Sequence, residues 1–174
     1  MTDIPKRRVI AVIIDNEFGA LARVVELFSA RGYNIETLSV APISNDKKLS
    51  RITITTFGTD KTIELICKLL CRIVPVHHSA ELSKDDNYIE RELCLAQIIC
   101  SKEMLIKAKN SLDDFRFDII DTEEDSSVFE IIGSSSQIDQ ALAILNNYGL
   151  ATVSRTGIAG GFKGKKRLDR LDKI

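Results

Sequence analysis

The sequence contains no hydrophobic run long enough to cross a membrane. Its longest unbroken apolar stretch is residues 9–14, whereas a membrane-spanning helix needs about 20 apolar residues. The first residues also lack the apolar segment of a secretory signal. Of the 174 residues, 44% are hydrophobic and 28% are charged, which is too apolar for a disordered chain. We therefore expect a soluble, cytoplasmic protein with one ordinary domain or two small ones.

The few cysteines and histidines are not spaced like metal ligands. No C-x-x-C pair occurs, and His77 and His78 are adjacent, so on a strand their side chains point to opposite faces. A zinc site that uses Cys67, Cys71 and these histidines is the alternative, but its spacing is wrong for known zinc motifs. We expect no metal site. The cysteines are expected to serve as small buried apolar residues.

Motifs of common catalysts and nucleotide-binding proteins are missing too. No G-x-S-x-G turn and no H-E-x-x-H helix motif occurs. Gly164 and Lys165 do not form a P-loop, because Lys166 follows them where serine or threonine is required. The basic C-terminal residues have only Phe162 nearby for base stacking. We therefore expect no nucleic acid or membrane partner, and a solvated or subunit-contacting tail.

The charge is nearly balanced overall but unevenly distributed. Residues 1–80 carry 11 basic and 8 acidic side chains, residues 81–150 carry 6 and 15, and residues 151–174 carry 7 and 2. The middle of the chain is therefore strongly acidic and the C-terminal end is basic, although the total formal charge is −1. An acidic surface repels nucleic acid, whereas the basic tail is suited to an acidic partner surface.

The hydrophobic pattern predicts the element order β-α-β-β-α-β twice. In the first unit, a buried strand at residues 9–14 precedes a helix with Leu21, Val24, Val25 and Phe28 on one face. We predict strands at 35–43, 49–57 and 73–81, and a second helix capped by Thr59 or Asp60. The second unit repeats this order about 80 residues later and closes with a strand at 150–156.

This order is typical of an α+β protein built from two ferredoxin-like domains. Two helices would cover one face of each four-stranded antiparallel sheet, and the other face would stay open for a partner. The predicted organisation is an N-terminal domain at 1–82, a linker at 83–88, a C-terminal domain at 89–158 and a basic tail at 159–174.

The turn at residues 15–21 is the segment best suited to bind a ligand. It joins the first buried strand to a helix N-terminus, where free amides and the helix dipole favour a carboxylate. Gly19 has no side chain to block a ligand, and Asn16 offers both a donor and an acceptor. A plain turn in which the asparagine caps the helix is the alternative explanation.

The same turn resembles the first ACT domain of the acetolactate synthase small subunit, the regulatory subunit of acetohydroxyacid synthase. The resemblance rests on NEFGAL at residues 16–21 and on LFSARGYNIETL at residues 27–38. It continues through VAP at 40–42, LSRITI at 49–54 and EREL at 90–93. It extends over about residues 8–160 and is looser in the acidic second half.

The resemblance implies a non-catalytic subunit that activates a thiamine-diphosphate-dependent catalytic subunit. It also implies feedback inhibition by a branched-chain amino acid, usually valine, and a homodimer that forms through the sheets of the ACT domains. Thiamine diphosphate, magnesium and FAD would belong to the catalytic partner, with no cofactor in this chain. The implied effector-binding residues are Asn16, Gly19, Ala20 and Leu21 from one chain, with Asn34 and Ile35 from the other.

Two other functions remain open at this stage. A stand-alone ACT protein that senses an amino acid and regulates another enzyme or a transcription factor would use the same turn, but it would not need residues 90–160. A small enzyme on a ferredoxin-like fold is the third hypothesis, and turnover of a substrate by the pure chain would support it.

Overall fold

The computed structural model describes residues 4–84 and 87–168. These residues fall into two compact units. Among the described residues, the first unit comprises 4–84, 87–89 and 160–168, and the second comprises 90–159. The predicted linker lies partly outside the described residues, as does the end of the predicted tail from residue 169.

The element order confirms the repeated β-α-β-β-α-β pattern. The first six elements are β1 (Lys6–Asp15), α1 (Ala20–Ser29), β2 (Thr37–Pro42), β3 (Leu49–Gly58), α2 (Asp60–Leu70) and β4 (Val76–Glu81). The next six are β5 (Tyr88–Ile99), α3 (Lys102–Ser111), β6 (Phe117–Thr122), β7 (Ser126–Gly133), α4 (Ser135–Leu145) and β8 (Leu150–Phe162). A short 3-10 turn at Asn146–Tyr148 connects α4 to β8.

Each unit contains one four-stranded sheet. The strand order is β2-β3-β1-β4 in the first sheet and β6-β7-β5-β8 in the second. In the first sheet β1 pairs antiparallel with β3 and β4, and β2 pairs antiparallel with β3. The predicted ferredoxin-like arrangement is therefore confirmed, and β2 and β4 are the edge strands of the first sheet.

The core of the first unit lies between its sheet and its two helices. Alternate residues of β1 and β3 point toward the helices, as the two-residue period of a strand requires. The helices contribute apolar residues to it, but of the stripe predicted for α1 only Val24 and Phe28 are buried, whereas Leu21 and Val25 are exposed. The fully buried members of this core include Ile10, Val12, Ile52, Ile54, Val24, Ile63, Ile66 and Leu70.

The core of the second unit is built in the same way. Cys94, Ala96 and Ile98 from β5 are fully buried, together with Phe129 from β7 and Ile138 from α4. Of the four cysteines, Cys67 and Cys94 are buried, whereas Cys71 and Cys100 are partly exposed, and all four are free thiols. The predicted role as small buried apolar residues therefore fits two of them.

The first sheet's second face is covered around Val9 and Leu82, which corrects the prediction that the whole face stays free. Val9 and Leu82 are buried on that face, and Gly160 lies against them: a Cβ placed on Gly160 would be 2.9 Å from a methyl carbon of Leu82. Arg51 donates a hydrogen bond to the carbonyl oxygen of Gly160. The segment from residue 160 therefore packs on the first unit, and β8 continues to Phe162 instead of ending at residue 156.

Candidate functional site

The turn between β1 and α1 is fastened to two neighbouring turns at one end of the first sheet. The amide of Asp15 donates to the carbonyl of Pro75 at 2.8 Å, and the amide of Asn16 donates to the carbonyl of Lys48 at 2.7 Å. The Asn16 side-chain amide donates to the carbonyl of Lys47 at 2.8 Å. These bonds hold the backbone before α1 in a defined position.

The turn at residues 44–48, which receives these bonds, is itself ordered by local hydrogen bonds. The amide of Lys48 donates to a carboxylate oxygen of Asp46 at 3.1 Å. A hydrogen bond from Ser44 and the bonds with Lys48 lower the pKa of Asp46 below its ordinary value. Lys47 has a φ of 56°, which is uncommon for a residue with a side chain. The sequence pattern gave no sign that this turn supports Asn16.

Helix α1 begins without a side-chain cap, unlike the other helices of the described chain. Its N-cap residue is Gly19, with a φ of 80° and no capping hydrogen bond. The helices α2, α3 and α4 are capped by Thr59, Ser101 and Ser134. The alternative that Asn16 caps α1 is therefore wrong, because the N-cap residue is Gly19 and no side chain accepts from the first amides of this helix.

The first amides of α1 consequently face outward as hydrogen-bond donors. The amide of Ala20 makes a long bond of 3.3 Å to the carbonyl of Glu17, and the first bond within the helix runs from Arg23 to Gly19 at 3.0 Å. The amides of Leu21 and Ala22 precede that bond and have no acceptor within the helix. A Cβ at Gly19 would meet nothing within 4 Å, so the approach to these amides is open.

Apolar surface continues from this helix start along the outer side of α1. Leu21 is 38% exposed and Val25 is 40% exposed, whereas Ala20 is buried. A shallow groove follows these side chains and is also lined by Gly19, Ala22 and Ala30. A ligand at the helix start would therefore meet polar donors at one end and aliphatic carbon at the other.

Asn34 and Ile35 lie far from this turn within the same chain. The Thr56 hydroxyl donates to the carbonyl of Asn34 at 2.6 Å, and Thr56 pairs with Arg8 near the start of β1. Asp15, at the other end of β1, pairs with Leu49. These two pairs are seven positions apart along β3, which corresponds to about 23 Å. The structure therefore does not bring the two halves of the predicted site together in one chain.

The side chains of these two residues are also engaged locally. The Asn34 amide donates to a carboxylate oxygen of Glu36, and Ile35 is partly buried against the core of the first unit. Thr56, which holds the Asn34 carbonyl, was not among the predicted site residues. It lies within the alternating pattern of β3, so nothing in the neighbouring sequence distinguishes it from an ordinary strand residue.

The described residues were also compared with the side-chain arrangement of a metal site and with the length of a membrane-spanning helix. Across residues 4–84 and 87–168, no group of three or more His, Cys, Asp and Glu side chains is placed to hold a metal ion. No helix in the part of the chain that the structure describes is long and apolar enough to cross a membrane. His77 and Asp15 form a pair with 2.6 Å between Nε2 and Oδ1.

Each of the two units matches a different family model. Residues 10–78 match the AHAS small subunit-like ACT domain, and residues 91–160 match the small subunit of acetolactate synthase. The chain is similar to the acetolactate synthase isozyme 3 small subunits of Salmonella typhimurium, at 40% identity, and Escherichia coli, at 39%. In both cases the alignment includes 92% of this chain and 98% of the relative.

A more distant relative and a crystal structure agree with these matches. A probable acetolactate synthase small subunit of Archaeoglobus fulgidus is 33% identical, with 92% of this chain and 99% of the relative aligned. The crystal structure of an acetolactate synthase small subunit from Thermotoga maritima superposes with a TM-score of 0.82 at 27% identity. That superposition includes 92% of this chain and 99% of the other.

Proposed function

Since the chain belongs to the acetolactate synthase small-subunit family, we propose that it binds the catalytic large subunit, raises its activity and makes it sensitive to feedback inhibition by valine. The condensation of two 2-oxo acids would then take place in the catalytic subunit. Thiamine diphosphate, magnesium and FAD would be bound there, and this chain would supply regulation without a cofactor of its own.

The uncapped start of α1 is the observation that carries the proposal for the effector site. The amides of Leu21 and Ala22 need an acceptor, and the positive end of the helix dipole favours a negative one. An α-carboxylate would accept from these amides, with Ala20 beside them. Gly19 would leave room for it because no Cβ is present. The Asn16 carbonyl oxygen would accept from the effector's ammonium group, since its amide nitrogen is already bonded to Lys47.

The separation of the two half-sites supports a homodimer. The turn at residues 16–21 lies at one end of the first sheet, whereas Asn34 and Ile35 lie at the other. The edge strand β2 runs between these ends, with Thr37 opposite Thr55 and Pro42 opposite Ser50. If two copies pair antiparallel along β2, the start of α1 in one copy lies beside Asn34 of the other. The effector would then bind between two copies.

The apolar part of the proposed site suits a short aliphatic side chain. Leu21 would contact it from one copy and Ile35 from the other, and both are only partly buried in the single chain. Burial of one methylene contributes about 0.8 kcal/mol, so valine, leucine and isoleucine would differ by a modest factor. We propose valine as the preferred effector because the family resemblance favours it.

Titration calorimetry on the full chain tests this site. We expect valine to bind with a stoichiometry of one per chain, and leucine and isoleucine to bind more weakly. The Gly19→Asp variant should lose valine binding, because a carboxylate beside the helix start repels the effector carboxylate. Gly19→Asn has nearly the same shape without the charge and tolerates positive φ, so it should weaken binding less.

Gly164→Asp is the matched control. Gly164 also has a positive φ, of 68°, and open space around its Cα, so this variant introduces the same strain and the same charge away from the proposed site. It should bind valine like the wild type. Unchanged valine binding in Gly19→Asp would show that the effector binds elsewhere.

A further inference from the structure

Two apolar side chains at one end of the first sheet are almost completely exposed. Phe18 is fully exposed and Val74 is 93% exposed, and among the described residues no other large apolar side chain is as exposed as these two. Phe18 belongs to the turn before α1, and Val74 belongs to the turn before β4. Single exposed apolar residues are ordinary, but an exposed patch of them indicates a binding surface.

The backbone brings these two side chains to the same end of the sheet. β1 and β4 are neighbouring antiparallel strands, so β1 ends where β4 begins. The amide of Asp15 donates to the carbonyl of Pro75 at 2.8 Å and joins the two turns. Phe18 follows Asp15 by three residues, and Val74 directly precedes Pro75. Phe18 and Val74 therefore form one surface, the end patch, on turns that are hydrogen-bonded to each other.

The charged groups around the end patch do not oppose its burial by a partner. The carboxylates of the turns at 15–19, 44–48 and 71–75 are all paired: Asp15 with His77, Glu17 with Arg23, and Asp46 with Lys48. A partner that covers this end therefore leaves no carboxylate without a counter-group, which would be costly. Lys47 and Arg72 are exposed, and they suit carboxylates at the rim of a partner surface.

The position of the end patch determines which partner can cover it. A second copy paired along β2 does not reach Val74, because β4 is the opposite edge strand, three strand spacings or about 14 Å away. An amino-acid effector at the start of α1 is too small to bury both side chains. The relatives of this chain are small subunits of acetolactate synthase, so a larger partner exists in the catalytic subunit.

We propose that the end patch is the docking surface for the catalytic large subunit, an inference that rests on the proposed function. Phe18 enters an apolar pocket of that subunit and Val74 packs beside the pocket, as buried aromatic anchors do in protein interfaces. Phe18 lies between Asn16 and Gly19, so the turn that would hold the effector also contacts the catalytic subunit. A shift of this turn on effector binding therefore reaches the catalytic subunit directly.

Titration of the catalytic subunit with the full-length chain tests this proposal. The quantity measured is the concentration of chain that gives half-maximal activation of acetolactate formation. Phe18→Ser should raise this concentration at least tenfold and Val74→Ser about fivefold, because each removes an apolar anchor. Phe18→Leu keeps apolar carbon and should raise it less. Leu65→Ser is the matched control, since Leu65 is 46% exposed on α2, and it should activate like the wild type.

Two measurements on the chain alone separate docking from the other roles of this end. In calorimetry and light scattering, Val74→Ser should bind valine and dimerise like the wild type. Loss of valine binding would assign Val74 to the effector site, and loss of the dimer would assign it to a second copy; either result would overturn the proposal. Wild-type activation by both Phe18→Ser and Val74→Ser would place docking elsewhere and leave the proposed function intact. Failure of the wild-type chain to activate would contradict the proposed function itself, and this inference with it.

Discussion

Glu92 and Arg155 form the most deeply buried ion pair among the described residues of the second unit. The Glu92 side chain is 1% exposed, and Arg155 contacts both of its carboxylate oxygens, at 2.7 and 2.8 Å. Ser135 donates to the same carboxylate at 3.1 Å, and Asp139 binds Arg155 at 2.7 Å. Hydrogen bonding to Glu92 raises the pKa of Arg155 above its ordinary value, so the guanidinium stays charged throughout the range in which proteins fold.

Removing the arginine should destabilise the second unit strongly. Arg155→Ala leaves the Glu92 carboxylate buried without its cation, and breaking a buried pair in this way costs about 3 kcal/mol or more. Arg116→Ala, at an exposed position of the same unit, should change the free energy of unfolding by less than about 0.5 kcal/mol. Urea unfolding monitored by circular dichroism measures both values. A similar small loss for both variants would show that the pair contributes little.

Cys67 is a second residue whose surroundings determine its chemistry. Its side chain is buried between α2 and β4, and burial raises the pKa of this thiol from 9.0 to about 11. The thiolate is the reactive form, and at pH 8 it would be about one part in a thousand of this thiol. Cys71 lies one helical turn later and is partly exposed.

Alkylation should therefore distinguish these two cysteines. With iodoacetamide at pH 8, Cys71 should be modified much faster than Cys67 in the folded chain, because Cys67 is both shielded and protonated. Trypsin separates the two cysteines at Lys68, so mass spectrometry of the two peptides measures each rate. In urea the two rates should become similar. Equal alkylation rates in the folded chain would contradict the burial of the Cys67 side chain.

At the scale of elements, hydrophobic periodicity predicted the type and order of the strands and helices, but not all of their ends. The strand predicted from residue 73 begins at Val76, because the amide of Ile73 donates to Leu70 and that of Val76 donates to Ile73 in a turn. Ile73 is apolar because it packs on the core. Periodicity does not distinguish such a turn residue from a strand residue.

The end of β8 was missed for a different reason. The strand was predicted to end at residue 156, before Gly157, Gly160 and Gly161, whereas Gly160 lies so close to Leu82 that an added Cβ would be 2.9 Å from a methyl carbon of that residue. Glycine allows a close approach of two backbone segments as well as flexibility. A single sequence does not show which of these two uses applies, because the contacting residue lies 78 positions earlier in the chain.

The exposed apolar stripe of α1 leads to a prediction about assembly. Leu21 and Val25 lie on the outer side of this helix, which packs beside α2. If two copies pair along β2 and α1, Val25→Lys should place a charge in the interface and shift the chain toward monomers. Leu65→Lys is the matched control, since Leu65 is 46% exposed on the other helix. Light scattering after size-exclusion chromatography measures the mass of each variant.

A dimer that is unchanged by Val25→Lys would exclude this face of α1 from the interface. If the dimer is lost in Leu65→Lys instead, the interface lies on the α2 side of the sheet. In either case the two halves of the proposed effector site would not meet in the way that we propose.

At the scale of the whole molecule, the candidate site shows what one sequence can and cannot predict. The free amides at the start of α1 could be predicted, because Gly19 stands just before the helix and has no side chain that would block a ligand. The hydrogen-bond partners of Asp15 and Asn16 could not be predicted, because Pro75, Lys47 and Lys48 lie in two other turns that only the fold brings close. The distance between the two half-sites also depends on the register of β1 and β3.

The uneven distribution of charge along the sequence follows the division of the chain into two units. The acidic residues are concentrated in the segment that forms most of the second unit, whereas the basic residues Lys163, Lys165, Lys166 and Arg167 belong with the first unit. These side chains therefore contribute positive charge to the surface of the first unit.

Reconstitution with the catalytic large subunit tests the proposed function most directly. Acetolactate formation is measured for the catalytic subunit alone and with the full chain, each with and without valine. We expect the chain to raise the rate and valine to lower it only when the chain is present, with a coupling of about 1–3 kcal/mol. An unchanged rate on adding the chain, or the same response to valine in its absence, would contradict the regulatory role.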